Sequence, residues 1–177
     1  SPWGVDPMEL KTFIRDVPDF PETGILFRDI TPLLHDAGAF RFTIDQLVER
    51  FEREQLDVIV GIESRGFLFG MPLAYQMGIP FVPVRKPGKL PAATHTAEYT
   101  LEYGSDAMQI HVDAISSGQR VLVLDDLLAT GGTLEATVRL VEMSGGVIGA
   151  IGVVIELTQL DGRRRLAGYD VFSLLQY

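Results

Sequence analysis

The sequence predicts an α/β protein: a mostly parallel, twisted sheet flanked by helices, with a small antiparallel flap. Three observations predict it. Short apolar runs alternate along the chain with segments of helical period. The runs are continuously apolar rather than alternating, as strands buried on both faces are. One stretch, residues 94 to 112, breaks the order and reads as two antiparallel strands. At 177 residues, 46% hydrophobic and 22% charged, the chain suits one domain with a full core. Residues 8–177 are read as that domain, and 1–7 as a leader outside it.

The elements follow in order. Met8 to Val17 carries Leu10, Phe13, Ile14 and Val17 at helical spacing, with Pro18 as its stop. A loop rich in Pro and Gly runs from Pro18 to Gly24; Ile25 to Thr31 follows, closed by Pro32. Phe40, Ile44, Leu47, Val48 and Phe51 form one stripe of a helix from Gly38 to Arg53. Asp57 to Val60 is a short buried strand that leads into Gly61-Ile-Glu-Ser-Arg-Gly66. Phe67 to Met77 reads as a helix ended by Gly78. Phe81 to Val84 is a strand followed by the basic loop Arg85-Lys-Pro-Gly-Lys89. Within 94–112, Tyr99, Leu101 and Tyr103, then Met108, Ile110 and Val112, alternate around a turn at Gly104-Ser-Asp106. A flap over the carboxyl edge of the sheet is the expected use of this pair. Val147 to Ile155 is a strand, Gln159 to Leu166 a short helix, and Val171 to Leu175 the last strand. No apolar run approaches ~20 residues, so no membrane span is expected.

The chemistry concentrates in Val121-Leu-Val-Leu-Asp-Asp-Leu-Leu-Ala-Thr-Gly-Gly-Thr133. A buried strand runs into two carboxylates, then into a glycine turn and a helix with the stripe Leu134, Val138 and Val141. Two acids within a buried strand would leave a charge unpaired, so Asp125 and Asp126 belong at its carboxyl end, where open α/β sheets place ligands. Gly131 and Gly132 let the backbone turn, Thr130 and Thr133 add hydroxyls, and the free amides of a helix N-terminus suit an anion. The combination offers two acids for sugar hydroxyls or a metal beside a backbone cradle for a phosphate. No Lys follows the glycines as a Walker loop requires, and no GxGxxG occurs. A formal charge of −9 argues against non-specific nucleic-acid binding. Zero cysteines exclude disulfides and thiolate catalysis and fit a reducing cytoplasm. His35, His95 and His111 are scattered without ligand spacing, and Arg163-Arg-Arg165 reads as structural or solvated.

The strand–acid pair–glycine turn order resembles the sugar-pyrophosphate signature of the type I phosphoribosyltransferases. Further blocks point to the adenine-specific branch of that family: Gly24-Ile-Leu-Phe-Arg-Asp-Ile-Thr-Pro32, Gly61-Ile-Glu-Ser-Arg-Gly-Phe67, Arg85-Lys-Pro-Gly-Lys-Leu-Pro91, Tyr99-Thr-Leu-Glu-Tyr-Gly104 and Phe172-Ser-Leu-Leu-Gln-Tyr177. The resemblance implies the fold of that family and covers the chain from about Phe13 to the last residue. It implies that Asp125 and Asp126 hold the ribose hydroxyls, and that Ala129, Thr130, Gly131, Gly132 and Thr133 wrap the 5′-phosphate. Glu63, Ser64 and Arg65, with a cis peptide at Glu63–Ser64, would meet the pyrophosphate together with Arg85, Lys86 and Lys89. Leu26, Phe27 and Arg28 would read the adenine, although Phe27 also suits an ordinary core position.

Glu102, between Leu101 and Tyr103, suits a lid acid facing ligand and by resemblance handles the adenine proton; a solvated strand glutamate is the plain alternative. Tyr103 would be a hinge or an aromatic contact on the same lid, and Arg65 would neutralise the leaving group. The implied reaction is adenine plus 5-phosphoribosyl-1-pyrophosphate giving AMP and pyrophosphate. Mg²⁺ would be carried by the substrate without dedicated protein ligands, and the protein would be a homodimer. Two alternatives stay open at this point: transfer to another base (xanthine, hypoxanthine–guanine or orotate), or a regulator that senses the sugar pyrophosphate without catalysis.

Overall fold

The structure, a computed structural model, describes residues 7–101 and 103–177. Its contacts form two compact units that divide between Leu47 and Val48. The first contains α1 (Pro7–Leu10), a 3-10 turn (Lys11–Phe13), β1 (Arg15–Pro18), β2 (Leu26–Asp29), α2 (Thr31–His35) and the start of α3 (Ala37–Phe51). The helix expected through Val17 therefore stops at Phe13. Arg15 to Pro18 is a strand because it has a partner: it pairs antiparallel with β2, Arg15 opposite Asp29 and Val17 opposite Phe27. Pairing overrides the helical spacing of its side chains. Pro32 does not close the next segment either. It sits in the first turn of α2, where its missing N–H loses nothing, and Asp29 receives hydrogen bonds from the Thr31 amide (2.9 Å) and hydroxyl (2.8 Å).

The second unit continues α3 and adds β3 (Val58–Ile62), α4 (Arg65–Met77), β4 (Phe81–Val84), β5 (Thr94–Leu101), β6 (Gly104–His111), β7 (Arg120–Leu128), α5 (Gly132–Met143), β8 (Val147–Glu156) and β9 (Val171–Gln176). The sheet order is β4-β3-β7-β8-β9, and every neighbouring pair is parallel. Continuous apolar runs give continuous burial: all five residues of β3 and Val121 to Leu124 of β7 are buried. Leu134, Val138 and Val141 of α5 enter the same core as expected. Phe51 at the end of α3 is fully buried and meets Phe172 edge-on at 5.8 Å.

The antiparallel pair is present, but its turn lies earlier than alternation suggested. Register runs to Leu101 opposite Gly104, so Gly104 to Asp106 belong to β6 rather than to the turn. The pair is anchored at its base. Ala97, Tyr99, Met108 and Ile110 are buried in the main core, and a bridge between Arg85 and Gln109 fastens β6 to the end of β4. Burial ends before the tip, where Leu101 and Tyr103 are exposed.

The helix expected near Gln159 to Leu166 is two 3-10 turns, Thr158–Leu160 and Gly162–Leu166. Asp161, at φ 52°, adopts the left-handed conformation and interrupts a continuous helical ladder. Arg163 anchors the second turn. Its Nε donates to both oxygens of Glu156 (3.0 and 2.9 Å), its Nη2 to one of them (2.9 Å), and its Nη1 to the Val171 carbonyl (2.9 Å). Ser173 donates to the same carboxylate at 2.7 Å. Arg163 and Ser173 hold the Glu156 carboxyl below the usual glutamate value against the opposing effect of burial.

Arg163→Ala leaves a buried carboxylate without its main donor and is expected to lower stability by about 2 kcal/mol, a melting-temperature loss of roughly 4–8 °C. Because the folded-state pKa of Glu156 is lowered, its contribution is full above the unfolded-state range and fades as pH falls through the folded value. The gap between wild type and variant, read by thermal melts from pH 7.5 downward, should close in acid. No helix of the described residues is long and apolar enough to cross a membrane.

Candidate active site

The acid pair stands inside β7, not at its end. β7 continues to Leu128 along β8, with Asp125 opposite Val153, Leu127 opposite Ile155 and Leu128 opposite Glu156. On the β3 side the ladder stops at Gly61 opposite Leu124, so the two acids lie just past the carboxyl end of that neighbour. The difficulty of charge within a sheet is resolved differently for each. Asp126 is 5% exposed and receives a 2.6 Å hydrogen bond from Arg65 Nε. Part of Asp125 stays accessible, yet burial of its carboxyl, and then the neighbouring Asp126 charge, push it well above the usual aspartate value. Its Oδ1 also accepts the Asp126 amide at 2.8 Å.

Beyond β7 the chain turns through Ala129 and Thr130 to Gly131, whose φ of 89° is the left-handed conformation that caps α5. Thr130 to Thr133, Asp125, Asp126 and Arg65 are among the residues around a cavity of about 200 Å³. The first amides of α5 open there, the arrangement that favours an anion. A second cavity, about 290 Å³, shares Arg65, Asp125, Asp126 and Thr133 with the first and adds Glu63, Ser64, Lys86 and Met108. The Glu63–Ser64 peptide is cis, as the resemblance implied.

The groups expected at the pyrophosphate are placed unequally. Ser64, Arg65 and Lys86 line the second cavity. Glu63 lines it too, but its carboxylate accepts from Arg85 Nε (3.1 Å), Arg85 Nη2 (3.2 Å) and the Lys86 amide (3.1 Å). Burial alone would raise the Glu63 carboxyl; the Arg85 and Lys86 donors outweigh it and hold it below its usual value. Arg85 is thereby committed to Glu63, and neither Arg85 nor Lys89 lines either cavity. Tyr103 is 94% exposed and lines neither. Glu102 lies outside the described residues. Leu26, Phe27 and Arg28 lie on β2 of the first unit, where Phe27 meets Phe20 edge-on at 5.2 Å and Arg28 pairs with Asp16 at 2.5 Å. Among the described residues β2 has a strand partner on one edge only.

Sequence reasoning missed the cluster that holds Lys86. Its ammonium donates to the Tyr99 hydroxyl at 3.0 Å and to the Asp106 carboxylate. Burial opposes the charged lysine, but these partners raise its pKa, and Lys86 in turn lowers that of Asp106. Tyr99 and Asp106 are cross-strand neighbours, a pairing that follows from the register of β5 against β6 and not from alternation alone. Among the described residues no three His, Asp or Glu side chains group as a metal-binding set.

Comparison with known proteins adds a family to this geometry. The model of the phosphoribosyl transferase domain matches residues 34–174. The adenine phosphoribosyltransferase of Acaryochloris marina is 56% identical over 170 residues, 96% of this chain and 100% of that protein. The crystal structure of adenine phosphoribosyltransferase from Thermoanaerobacter pseudethanolicus is 55% identical and superposes with a TM-score of 0.95, covering 97% of this chain and 100% of the other. The Saccharomyces cerevisiae enzyme, in complex with adenine and an imino-altritol bisphosphate, is 44% identical with a TM-score of 0.90, over 96% and 98% of the two chains.

Proposed function

The chain belongs to the phosphoribosyltransferase family, and on that premise we propose that it is a purine-salvage enzyme joining adenine to 5-phosphoribosyl-1-pyrophosphate, with AMP and pyrophosphate as products. One observation carries the reading. A carboxylate pair, a glycine turn opening a helix, and the Glu63–Ser64 loop surround two adjoining cavities, matched in size and chemistry to a pentose bearing an anion at each end.

In the reaction adenine N9 bonds to ribose C1, the C1–oxygen bond to pyrophosphate breaks, and the N9 proton departs. Asp125 and Asp126 accept hydrogen bonds from the ribose diol. The amides and hydroxyls of Ala129 to Thr133 take the 5′-phosphate without a full positive charge of their own. Ser64, Arg65 and Lys86 meet the leaving pyrophosphate, while Glu63 and Arg85 brace one another behind them. These donors stabilise charge that grows as the C1–oxygen bond lengthens, in an oxocarbenium-like transition state. Leu26 to Arg28, on β2 of the two-stranded sheet, read the base through backbone groups. Glu102 receives the N9 proton.

Asp125 and Asp126 offer the hard oxygen donors that suit Mg²⁺. With no third grouped ligand among the described residues, the cation would be carried by the substrate, where it would offset negative charge on the pyrophosphate. A homodimer in the cytoplasm completes the proposal; exposed Leu68, Met71 and Tyr75 along α4 support a contact between copies.

The test is pyrophosphate release with adenine against guanine, hypoxanthine and xanthine. Adenine should exceed each of the others by at least ~10²-fold in kcat/KM, because a mismatched base leaves buried polar groups unpaired. Equal rates would remove the adenine assignment, and undiminished turnover in Glu102→Gln would remove that residue's role.

A further inference from the structure

The proposed phosphate cleft has a charge deficit. Its lining carries two carboxylates and a single basic side chain, Arg65, which is already paired with Asp126, whereas a phosphate monoester carries up to two negative charges. Amide donors orient such a group well, but a nearby cation adds charge-assisted attraction that they lack.

The second 3-10 turn brings one against the loop, beside the cavity rather than within its lining. Its backbone lies directly against the phosphate loop: a Cβ built on Gly131 would stand 2.6 Å from the Gly162 carbonyl oxygen, and one built on Gly162 would stand 2.4 Å from that of Ala129. Each approach is closer than a real side chain allows, so loop and turn touch through bare backbone. Arg163, bound to Glu156 and Val171, fixes the turn in that position. Three positions after Gly162, Arg165 runs along the loop. Its Cβ is 3.4 Å from the Cβ position of Gly131, and its Nη1 is 3.3 Å from that of Gly132. Arg165 is exposed, and no hydrogen bond or ion pair joins its side chain to the described residues. Arg163 and Arg65, by contrast, are each committed to an acid.

We infer that Arg165 is the charge partner of the 5′-phosphate, a binding residue for the phosphorylated pentose supplied from outside the signature loop. The inference deepens the proposed reaction and rests on it. Its chemical target is a phosphate monoester on a pentose: the sugar pyrophosphate in one direction, AMP in the other. The guanidinium stands at the loop that holds the 5′-phosphate, so it discriminates between the two anionic ends of the substrate.

Arg165→Gln, Arg165→Lys and Arg164→Gln test it. Arg164 is the neighbouring exposed cation, so its variant controls for net charge. Steady-state kinetics of the intact protein should show KM for the sugar pyrophosphate raised about 5- to 10-fold in Arg165→Gln. AMP affinity should fall in parallel, while kcat, KM for adenine and product inhibition by pyrophosphate stay at wild-type values. Arg165→Lys should recover part of the loss, and Arg164→Gln should stay within about twofold of wild type. A KM in Arg165→Gln equal to that of Arg164→Gln overturns the inference, as does an equal loss of pyrophosphate affinity. Wild-type protein that releases no pyrophosphate with adenine would instead overturn the underlying reaction, so the two failures are distinguishable.

Discussion

Gly131→Ala should lower kcat/KM for the sugar pyrophosphate by roughly 10²-fold, mostly through KM, while the fold persists. Two effects combine at this one atom. The residue sits at φ 89°, where a side chain meets its own backbone and costs about 1–2 kcal/mol. The added methyl would also fall 2.6 Å from the Gly162 carbonyl, and backbone cannot swing aside as a side chain can. The loop must therefore shift relative to the start of α5. A misplacement on the order of 1 Å at a positioning group costs about 10²-fold in rate. Gly118→Ala separates the two contributions: it has a comparable φ of 84°, but its added methyl would meet nothing within 4 Å. It should lose stability and keep its kinetics. Wild-type kinetics in Gly131→Ala would mean that residues 129–133 do not hold the phosphate.

Asp125→Asn should separate stability from activity: the variant melts at a higher temperature at neutral pH and loses about 10- to 100-fold in kcat/KM. The carboxyl of Asp125 is raised well above its usual value, first by burial and then by Asp126, so the folded protein binds this proton more tightly than the unfolded chain. Stability from this group is then fullest in acid and declines as pH climbs from the unfolded value toward the folded one. Above the folded value the whole penalty is present. A neutral amide removes it, which is worth about 1 kcal/mol or roughly 2–4 °C in a chain of this length. Melting curves between pH 4 and 8 should show the gain shrinking toward the acid end, while kinetics at pH 7.5 report the lost diol acceptor. A variant less stable than wild type at neutral pH, or one with unchanged kcat/KM, contradicts the assignment.

Much of the candidate site is legible in the sequence because it is local in the chain. Asp125, Asp126 and the turn from Ala129 to Thr133 form a strand, a turn and a helix start within a dozen residues, and their chemistry is stated by residue type and order. The five parallel strands were legible for the same reason: buried runs such as Val58 to Ile62 declare themselves through composition. What depends on register was not. Arg15 to Pro18 shows helical spacing and becomes a strand only against Leu26 to Asp29. The hairpin turn was displaced toward Gly104 because alternation defines faces without saying which residues oppose each other, and the Lys86–Tyr99–Asp106 cluster was lost with it. Arg85, a reasonable anion ligand by charge, turned out to face Glu63, a contact between two strand ends that no spacing rule announces. Arg165 reads as solvated in the sequence and is exposed in the fold, which alone brings Gly131 and Gly132 beside it.

The ion pair between Arg65 and Asp126 has a consequence for how such a molecule can change over generations. The two residues are 61 positions apart and belong to different strand–helix units, yet each is the other's counter-ion. Loss of the arginine strands an enclosed carboxylate, and loss of the aspartate takes from the arginine a partner held at 2.6 Å. Neither residue can drift alone, so inheritance of the start of α4 and of the acid pair in β7 is tied together.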